Sequence, residues 1–111
     1  MEVHKSLGNG FQELIYQRAL GIEFRNSNIS AVREVAMPIY YKEEKIGTRR
    51  VDFLIEDKIS VEIKSVTKLE DVHLAQAINY LEAYSLEIGL LINFGSKSLE
   101  FRRLINSKFK V

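Results

Sequence analysis

The sequence contains no cysteine, no tryptophan and only one proline among its 111 residues. Without cysteine, disulfide bonds, thiolate metal sites and a cysteine nucleophile are excluded. No apolar run reaches the roughly 18 residues of a membrane span, so the sequence predicts no transmembrane helix. The first ten residues, MEVHKSLGNG, lack the apolar stretch of a signal peptide, and we therefore expect a cytoplasmic protein.

Neither sign of charge is in clear excess, because the chain has 16 basic and 15 acidic residues and a net charge of +1. This balance is far from that of a strongly basic nucleic-acid binder. Basic residues predominate only in the C-terminal segment from residue 97, which could lie near phosphate groups or form a solvated face. Hydrophobic residues make up 46% of the chain, which predicts one packed domain over residues 1–111.

Hydrophobic spacing predicts an α/β order of elements. Helical periodicity indicates helices over residues 11–24 and 69–84, and residues 1–7 resemble the end of another helix. Strands are predicted over residues 32–41, 48–55, 59–66 and 87–94, and residues 99–105 favour a fifth strand over a short helix. Residues 42–45 read as a polar turn, and Pro38 indicates a sheet edge or a bulge.

The connections predict a mixed sheet. The short segment 56–58 favours an antiparallel hairpin between the second and third strands. The long connection through the second long helix predicts a right-handed crossover, with the fourth strand parallel to the third. We therefore expect a mixed β-sheet with helices on both sides.

Three charges, Asp52, Glu62 and Lys64, interrupt the most apolar part of the chain. Strand alternation places Glu62 and Lys64 on one face, and the predicted hairpin places Asp52 directly opposite Glu62. Two opposed carboxylates repel each other, whereas a divalent cation between them makes the arrangement favourable. Glu-x-Lys alone is common in surface ion pairs, so a simple salt bridge remains an alternative interpretation.

Mg²⁺ suits these residue types, since it binds one or two carboxylates together with water and phosphate oxygens. A bound metal acidifies water and offsets the charge on a phosphate. Lys64 could hold or activate the attacking water, or stabilise the developing negative charge. The pattern Asp-(x)9-Glu-x-Lys is thus chemically suited to phosphodiester cleavage.

These residues resemble the PD-(D/E)xK nuclease superfamily, and more closely its GxxExxY group of small prokaryotic proteins. The signature itself is matched by GFQELIY at residues 10–16. Further matches follow in family order over nearly the whole chain: VHKSLG at 3–8, RVDF at 50–53, VEIK at 61–64, AQAINYL at 75–81 and GLLINFG at 89–95. Val51 stands where the superfamily name has proline, and family members usually have more of the first helix than begins here at Met1.

The resemblance implies a restriction-endonuclease-like fold and a set of site residues. It implies that Asp52, Glu62 and the Ile63 carbonyl bind the metal and that Lys64 is the catalytic lysine. Glu13 would be an additional acidic residue at the metal, and Gln76 would orient the site from the second long helix.

Three further residues carry open alternatives. Tyr16 could donate a hydrogen bond near the site, although packing in the core is the favoured interpretation. Arg50 could contact phosphate or pair with an acid. Asn79 could join the polar cluster beside Gln76.

Together these observations predict a Mg²⁺-dependent nuclease, with Mn²⁺ as a substitute, that hydrolyses DNA; RNA is a second potential substrate. A homodimer would present two sites to two strands. The alternative is a non-catalytic nucleic-acid- or protein-binding module with the nuclease fold, which the near-neutral charge favours.

Overall fold

A computed structural model gives the structure of the protein and describes residues 1–109. Within this range the chain forms three helices and five strands. The helices are α1 (Glu2–Leu7), α2 (Glu13–Asn26) and α3 (Asp71–Tyr84), and the strands are β1 (Ala31–Tyr41), β2 (Glu44–Ile55), β3 (Ile59–Lys64), β4 (Ile88–Asn93) and β5 (Glu100–Ile105).

The five strands form one mixed sheet in the order β1-β2-β3-β4-β5. β3 and β4 are parallel, and each of the other neighbouring pairs is antiparallel. The predicted α/β class, the hairpin, the parallel crossover and the strand near residues 99–105 are therefore confirmed. β1 lies at the sheet edge and shifts register between Ile39 and Tyr40. Both features suit Pro38, which cannot donate a backbone hydrogen bond.

The first hairpin differs from the prediction. Residues 42–45 were expected to form a four-residue turn, but β2 already begins at Glu44. Lys42 and Glu43 both have positive φ angles, 48° and 66°. A two-residue turn of this kind matches the natural twist of a hairpin, and it lets the strands extend further than the polar composition suggested.

The helices cover both faces of the sheet. α1 and α2 pack over one cluster of buried residues: Val3, Tyr16, Leu20, Phe53, Val61, Ile63, Ile92 and Phe94. α3 packs over a second cluster: Leu69, Ala77, Leu81, Leu86, Leu91 and Leu104. Ile92 and Leu91 are adjacent in β4 yet belong to different clusters, as expected for a strand with both faces buried.

α3 begins with a capping box between Glu70 and His73. The Glu70 side chain accepts a hydrogen bond from the His73 backbone, and His73 Nδ1 accepts one from the Glu70 backbone N–H at 2.9 Å. Two backbone donors at the start of the helix are thereby satisfied. This cap sets the start of α3, and hence the positions of Gln76 and Tyr80 over the sheet.

The loop after β4 presses closely on the loop after β3. A Cβ atom added to Gly95 would lie 2.5 Å from both the backbone nitrogen and the carbonyl oxygen of Val66. Only glycine allows that approach without moving backbone atoms. The contact holds together the ends of β3 and β4, beside the candidate site.

Candidate active site

Regular pairing between β2 and β3 ends close to the predicted site. Three residue pairs follow one another from the turn, and the last of them is Phe53 with Val61. The ladder ends there, so the next pair, Asp52 with Glu62, is not formed. Asp52 Oδ2 instead accepts a hydrogen bond from the backbone N–H of Ile63 at 2.7 Å. The predicted register of the hairpin is therefore confirmed for the three pairs next to the turn, but the expected direct pair of Asp52 with Glu62 is not formed. The Asp52 side chain accepts the hydrogen bond of Ile63 instead.

The other neighbour of Asp52 is also irregular. Glu34 would oppose Asp52 in the β1–β2 pair, but it has a φ of 56° and this pair is missing from the ladder. Such a conformation is unfavourable for a residue with a side chain and locally disturbs a strand. β2 is thus irregularly paired on both sides at Asp52.

This irregularity changes which way the β2 side chains point. Asp52 Oδ1 accepts a hydrogen bond from Gln17 Nε2 of α2 at 3.0 Å, and the next residue, Phe53, packs in the cluster under α2 as well. Arg49, by contrast, contacts Glu62 and lies over Tyr80 of α3. Strand alternation places Arg50 on the same face as Asp52, and both residues line one cleft, but the side chain that pairs with Glu62 is Arg49.

A cleft of about 340 Å³ opens at this end of the sheet. It brings together six of the predicted residues, Glu13, Arg50, Asp52, Glu62, Ile63 and Lys64, with Leu14, Gln17, Glu34 and Arg49. Gln76 lies in an adjoining crevice beside Glu62 and Lys64. Four of the five predicted catalytic residues thus line one cleft, and the fifth lies next to it.

Glu62 is the most unusual group in the cleft, since only 5% of its surface is exposed. Its Oε2 accepts a hydrogen bond from Arg49 Nη2 at 3.1 Å, while its Oε1 is buried with no hydrogen-bond partner in residues 1–109. Burial raises the pKa of Glu62 to about 7; Arg49 opposes this rise and the neighbouring Asp52 adds to it. A buried carboxylate with a free oxygen is suited to binding a cation.

The donors present fit a hard divalent cation. Asp52 and Glu62 offer carboxylate oxygens, Ile63 lines the same cleft, and Glu62 Oε1 has no hydrogen-bond partner in residues 1–109. Mg²⁺ commonly uses one or two carboxylates with waters in the remaining positions. Glu13 also lines the cleft, yet no three His, Cys, Asp or Glu side chains are spaced to hold a metal anywhere in residues 1–109. The implied ligand set that includes Glu13 is therefore not assembled.

Two of the weaker candidates do not line the cleft. Tyr16 is fully buried and stacks on Phe94 with ring centroids 4.6 Å apart. Its hydroxyl donates to the Gly8 carbonyl at 2.6 Å and accepts from the Phe11 backbone N–H at 3.1 Å. Tyr16 therefore serves packing, the favoured interpretation of its sequence position. Asn79 is exposed on α3 and lines neither the cleft nor the crevice.

Sequence reasoning missed Gln17 and Arg49. Gln17 could have been found, because it lies one helical turn after Glu13 and so shares its face of α2. Arg49 gave no comparable signal, since its approach to Glu62 depends on the irregular pairing at Asp52.

A comparison with known protein families now decides the class. The model of the PD-(D/E)XK nuclease superfamily matches residues 1–104. The chain belongs to the PD-(D/E)XK nuclease superfamily. The match includes every element from α1 to β4 and nearly all of β5. In this PD-(D/E)XK protein, the Asp52, Glu62 and Lys64 pattern lies on β2 and β3, where the two strands leave regular pairing.

A solved structure supports the fold of this PD-(D/E)XK protein. The crystal structure of SSO0001 is similar to it with a TM-score of 0.64 and 23% sequence identity. The similarity covers 85% of this chain but only 50% of SSO0001, so the chain corresponds to about half of that protein's length. At this identity the likeness concerns the fold alone. In the described part of this chain, no helix combines the length and apolarity needed to cross a membrane.

Proposed function

We propose that the protein is a metal-dependent nuclease of the GxxExxY group that hydrolyses phosphodiester bonds in DNA. The observation that carries this proposal is the cleft that joins Asp52, Glu62 and Lys64, in which Glu62 Oε1 is buried and has no partner among residues 1–109. In a simple ion-pair cluster such an oxygen would only lower the stability of the fold, since an unsatisfied buried acceptor costs about 1–3 kcal/mol. RNA is a second potential substrate.

Asp52, Glu62 and the Ile63 carbonyl would hold Mg²⁺, or Mn²⁺ in its place. When bound, the ion supplies an acidified water and offsets negative charge on the phosphate. Gln17 and the Ile63 N–H each donate to one oxygen of Asp52, at 3.0 and 2.7 Å, and so fix its orientation. These contacts restrict the Asp52 side chain before a metal ion binds, so less conformational entropy is lost on binding.

Lys64 lies in the same cleft and is half-buried at the end of β3. Its ammonium group would hold the attacking water or stabilise charge that develops on the phosphate. Gln76, beside Glu62 and Lys64, would orient them from α3, and Arg50 and Glu13 at the rim of the cleft would face the substrate. We further propose that the protein acts in the cytoplasm as one domain over residues 1–111 and forms a homodimer.

A second candidate function is a binding module that retains the fold without turnover. Two observations favour it: the net charge is only +1, and residues 1–109 contain no three-ligand metal group. Backbone contacts to nucleic acid usually require many lysines and arginines. A divalent-cation titration separates the candidates, because an enzyme site should bind Mn²⁺ and lose that binding in Asp52→Ala.

The direct test is cleavage of supercoiled plasmid and of branched DNA in Mg²⁺ or Mn²⁺. We expect wild type to cut and Lys64→Ala to lose at least about 100-fold in rate, the scale of one acid–base or electrostatic group. Lys58→Ala is the matched control, since Lys58 lies exposed in the β2–β3 turn outside the cleft. Equal cutting by wild type and Lys64→Ala would refute the site assignment. Absence of cutting with metal binding intact would favour the binding module.

A further inference from the structure

Arg49 is held from two directions between α3 and β3. Its Nη2 lies 3.1 Å from Glu62 Oε2, and its guanidinium carbon lies 4.0 Å from the centroid of the Tyr80 ring. A planar guanidinium can stack on an aromatic face and donate hydrogen bonds in its own plane at the same time. Tyr80 itself stacks on Tyr84 with centroids 6.2 Å apart, so the support for Arg49 extends along α3.

The contact between Arg49 and Glu62 is one-sided. Arginine and a carboxylate often pair through two parallel hydrogen bonds, which is the stronger arrangement. Here Glu62 Oε1 and Arg49 Nε are both buried and lack partners in residues 1–109. A second bond between the pair would satisfy further buried polar groups, so the observed geometry is not the best one for the ion pair by itself. It is a suitable geometry for holding one oxygen while the other remains available.

We propose that Arg49, held in place by Tyr80, is a positioning residue that orients Glu62 so that Oε1 faces a divalent cation. The inference rests on the proposed function, which supplies the cation. Carboxylates that bind metals are themselves commonly hydrogen-bonded by a further side chain, and losing that partner typically weakens metal binding 10–100-fold. Arg49 acts through Glu62 and needs no contact with the substrate.

The positive charge of Arg49 has an opposing effect on metal binding. Arg49 is a cation, and its charge repels a second cation bound to the same carboxylate. If repulsion exceeds the benefit of orientation, then removing Arg49 should tighten metal binding. A loss of metal affinity on removal of Arg49 therefore indicates that Arg49 orients Glu62, and a gain indicates that Arg49 mainly repels the cation.

The test is a calorimetric titration of the whole chain with Mn²⁺, at a pH well above the pKa of about 7 of Glu62. We expect Arg49→Met to weaken Mn²⁺ binding 10–100-fold. Arg49→Lys should restore only part of the affinity, because an ammonium keeps the charge but lacks the planar fork. The matched control is Arg33→Met, which removes an exposed arginine of β1 outside the cleft and should bind like wild type.

Tyr80 provides an independent arm of the same experiment. Tyr80→Leu removes the aromatic face under Arg49 and should weaken Mn²⁺ binding, whereas Tyr80→Phe keeps the face and should bind like wild type. Circular dichroism and thermal unfolding establish that each variant is folded. Equal or tighter Mn²⁺ binding by folded Arg49→Met would overturn this inference alone. A wild type that binds no Mn²⁺ would overturn the proposed function and this inference with it.

Discussion

Asn93 and Glu62 are buried polar residues on neighbouring parallel strands, and they differ in how many of their polar atoms are hydrogen-bonded. Asn93 Oδ1 accepts from the backbone N–H groups of Val66 and Gly95, and its Nδ2 donates to the Val66 carbonyl and to Glu100 Oε1. Glu62 has one hydrogen bond, to Arg49, and a buried oxygen with no partner in residues 1–109. Both polar atoms of the Asn93 side chain are thus hydrogen-bonded, whereas Glu62 retains one buried oxygen that accepts no hydrogen bond from residues 1–109.

The difference distinguishes the structural role of Asn93 from the metal-binding role that we propose for Glu62. A fully satisfied buried amide links loops and stabilises the fold, since its own polar atoms and those of its partners are all paired. A buried carboxylate with a free oxygen costs stability, and such costs are typical of sites that bind or react. The two residues face different partners as well: mostly backbone groups surround Asn93, whereas charged side chains surround Glu62.

The largest expected effect comes from removing the satisfied residue. Asn93→Ala would leave three backbone groups of Val66 and Gly95 without partners, so we expect the free energy of unfolding to fall by about 4 kcal/mol. Asn79→Ala, an exposed asparagine of α3, should change it by less than about 0.5 kcal/mol. Urea unfolding of both variants measures this, and similar losses in the two would show that the four hydrogen bonds of Asn93 do not stabilise the fold as expected.

The next effect concerns the pH dependence of stability at Glu62. Its pKa is about 7 in the folded protein, compared with an ordinary value of 4.5. At a pH below both values the group is protonated in both states, and above both it is ionised in both. Between them the folded state binds more protons, so the free energy of unfolding falls as the pH rises, by about 3 kcal/mol for this group.

Glu62→Gln cannot ionise and should lack this part of the pH dependence. The measurement is a series of urea unfolding curves for wild type and Glu62→Gln across the same pH window. Subtracting the two series removes the contributions of other groups. Parallel curves would mean that Glu62 has an ordinary pKa in the folded protein, and the contrast with Asn93 would then lose its electrostatic basis.

The smallest effect tests whether Tyr16 belongs with the structural residues. Its hydroxyl joins Gly8 and Phe11, so Tyr16→Phe should lower the free energy of unfolding by about 1 kcal/mol. Mn²⁺ affinity should stay the same, because Tyr16 does not line the cleft. Calorimetry with unfolding measures both quantities. A variant of unchanged stability that bound Mn²⁺ less tightly would move Tyr16 into the site.

Local patterns were sufficient for most of the fold. Periodicity and turn residues predicted the order of helices and strands, the hairpin at residues 56–58 and the parallel crossover. They also indicated that Asp52, Glu62 and Lys64 lie near one another, because the spacing of residues along two paired strands limits where their side chains can be. These are short-range consequences of backbone geometry, and for that reason they can be read from the chain.

Tertiary structure alone decided how the site is arranged. The positive φ of Glu34 and the end of pairing before Asp52 direct Asp52 towards α2 and bring Arg49, not Arg50, to Glu62. The raised pKa of Glu62 comes from burial by elements distant in sequence. The sequence by itself determined which chemical groups enter the sheet, whereas packing determined which way they point and how much water reaches them, because orientation and burial depend on contacts between elements that no local pattern encodes.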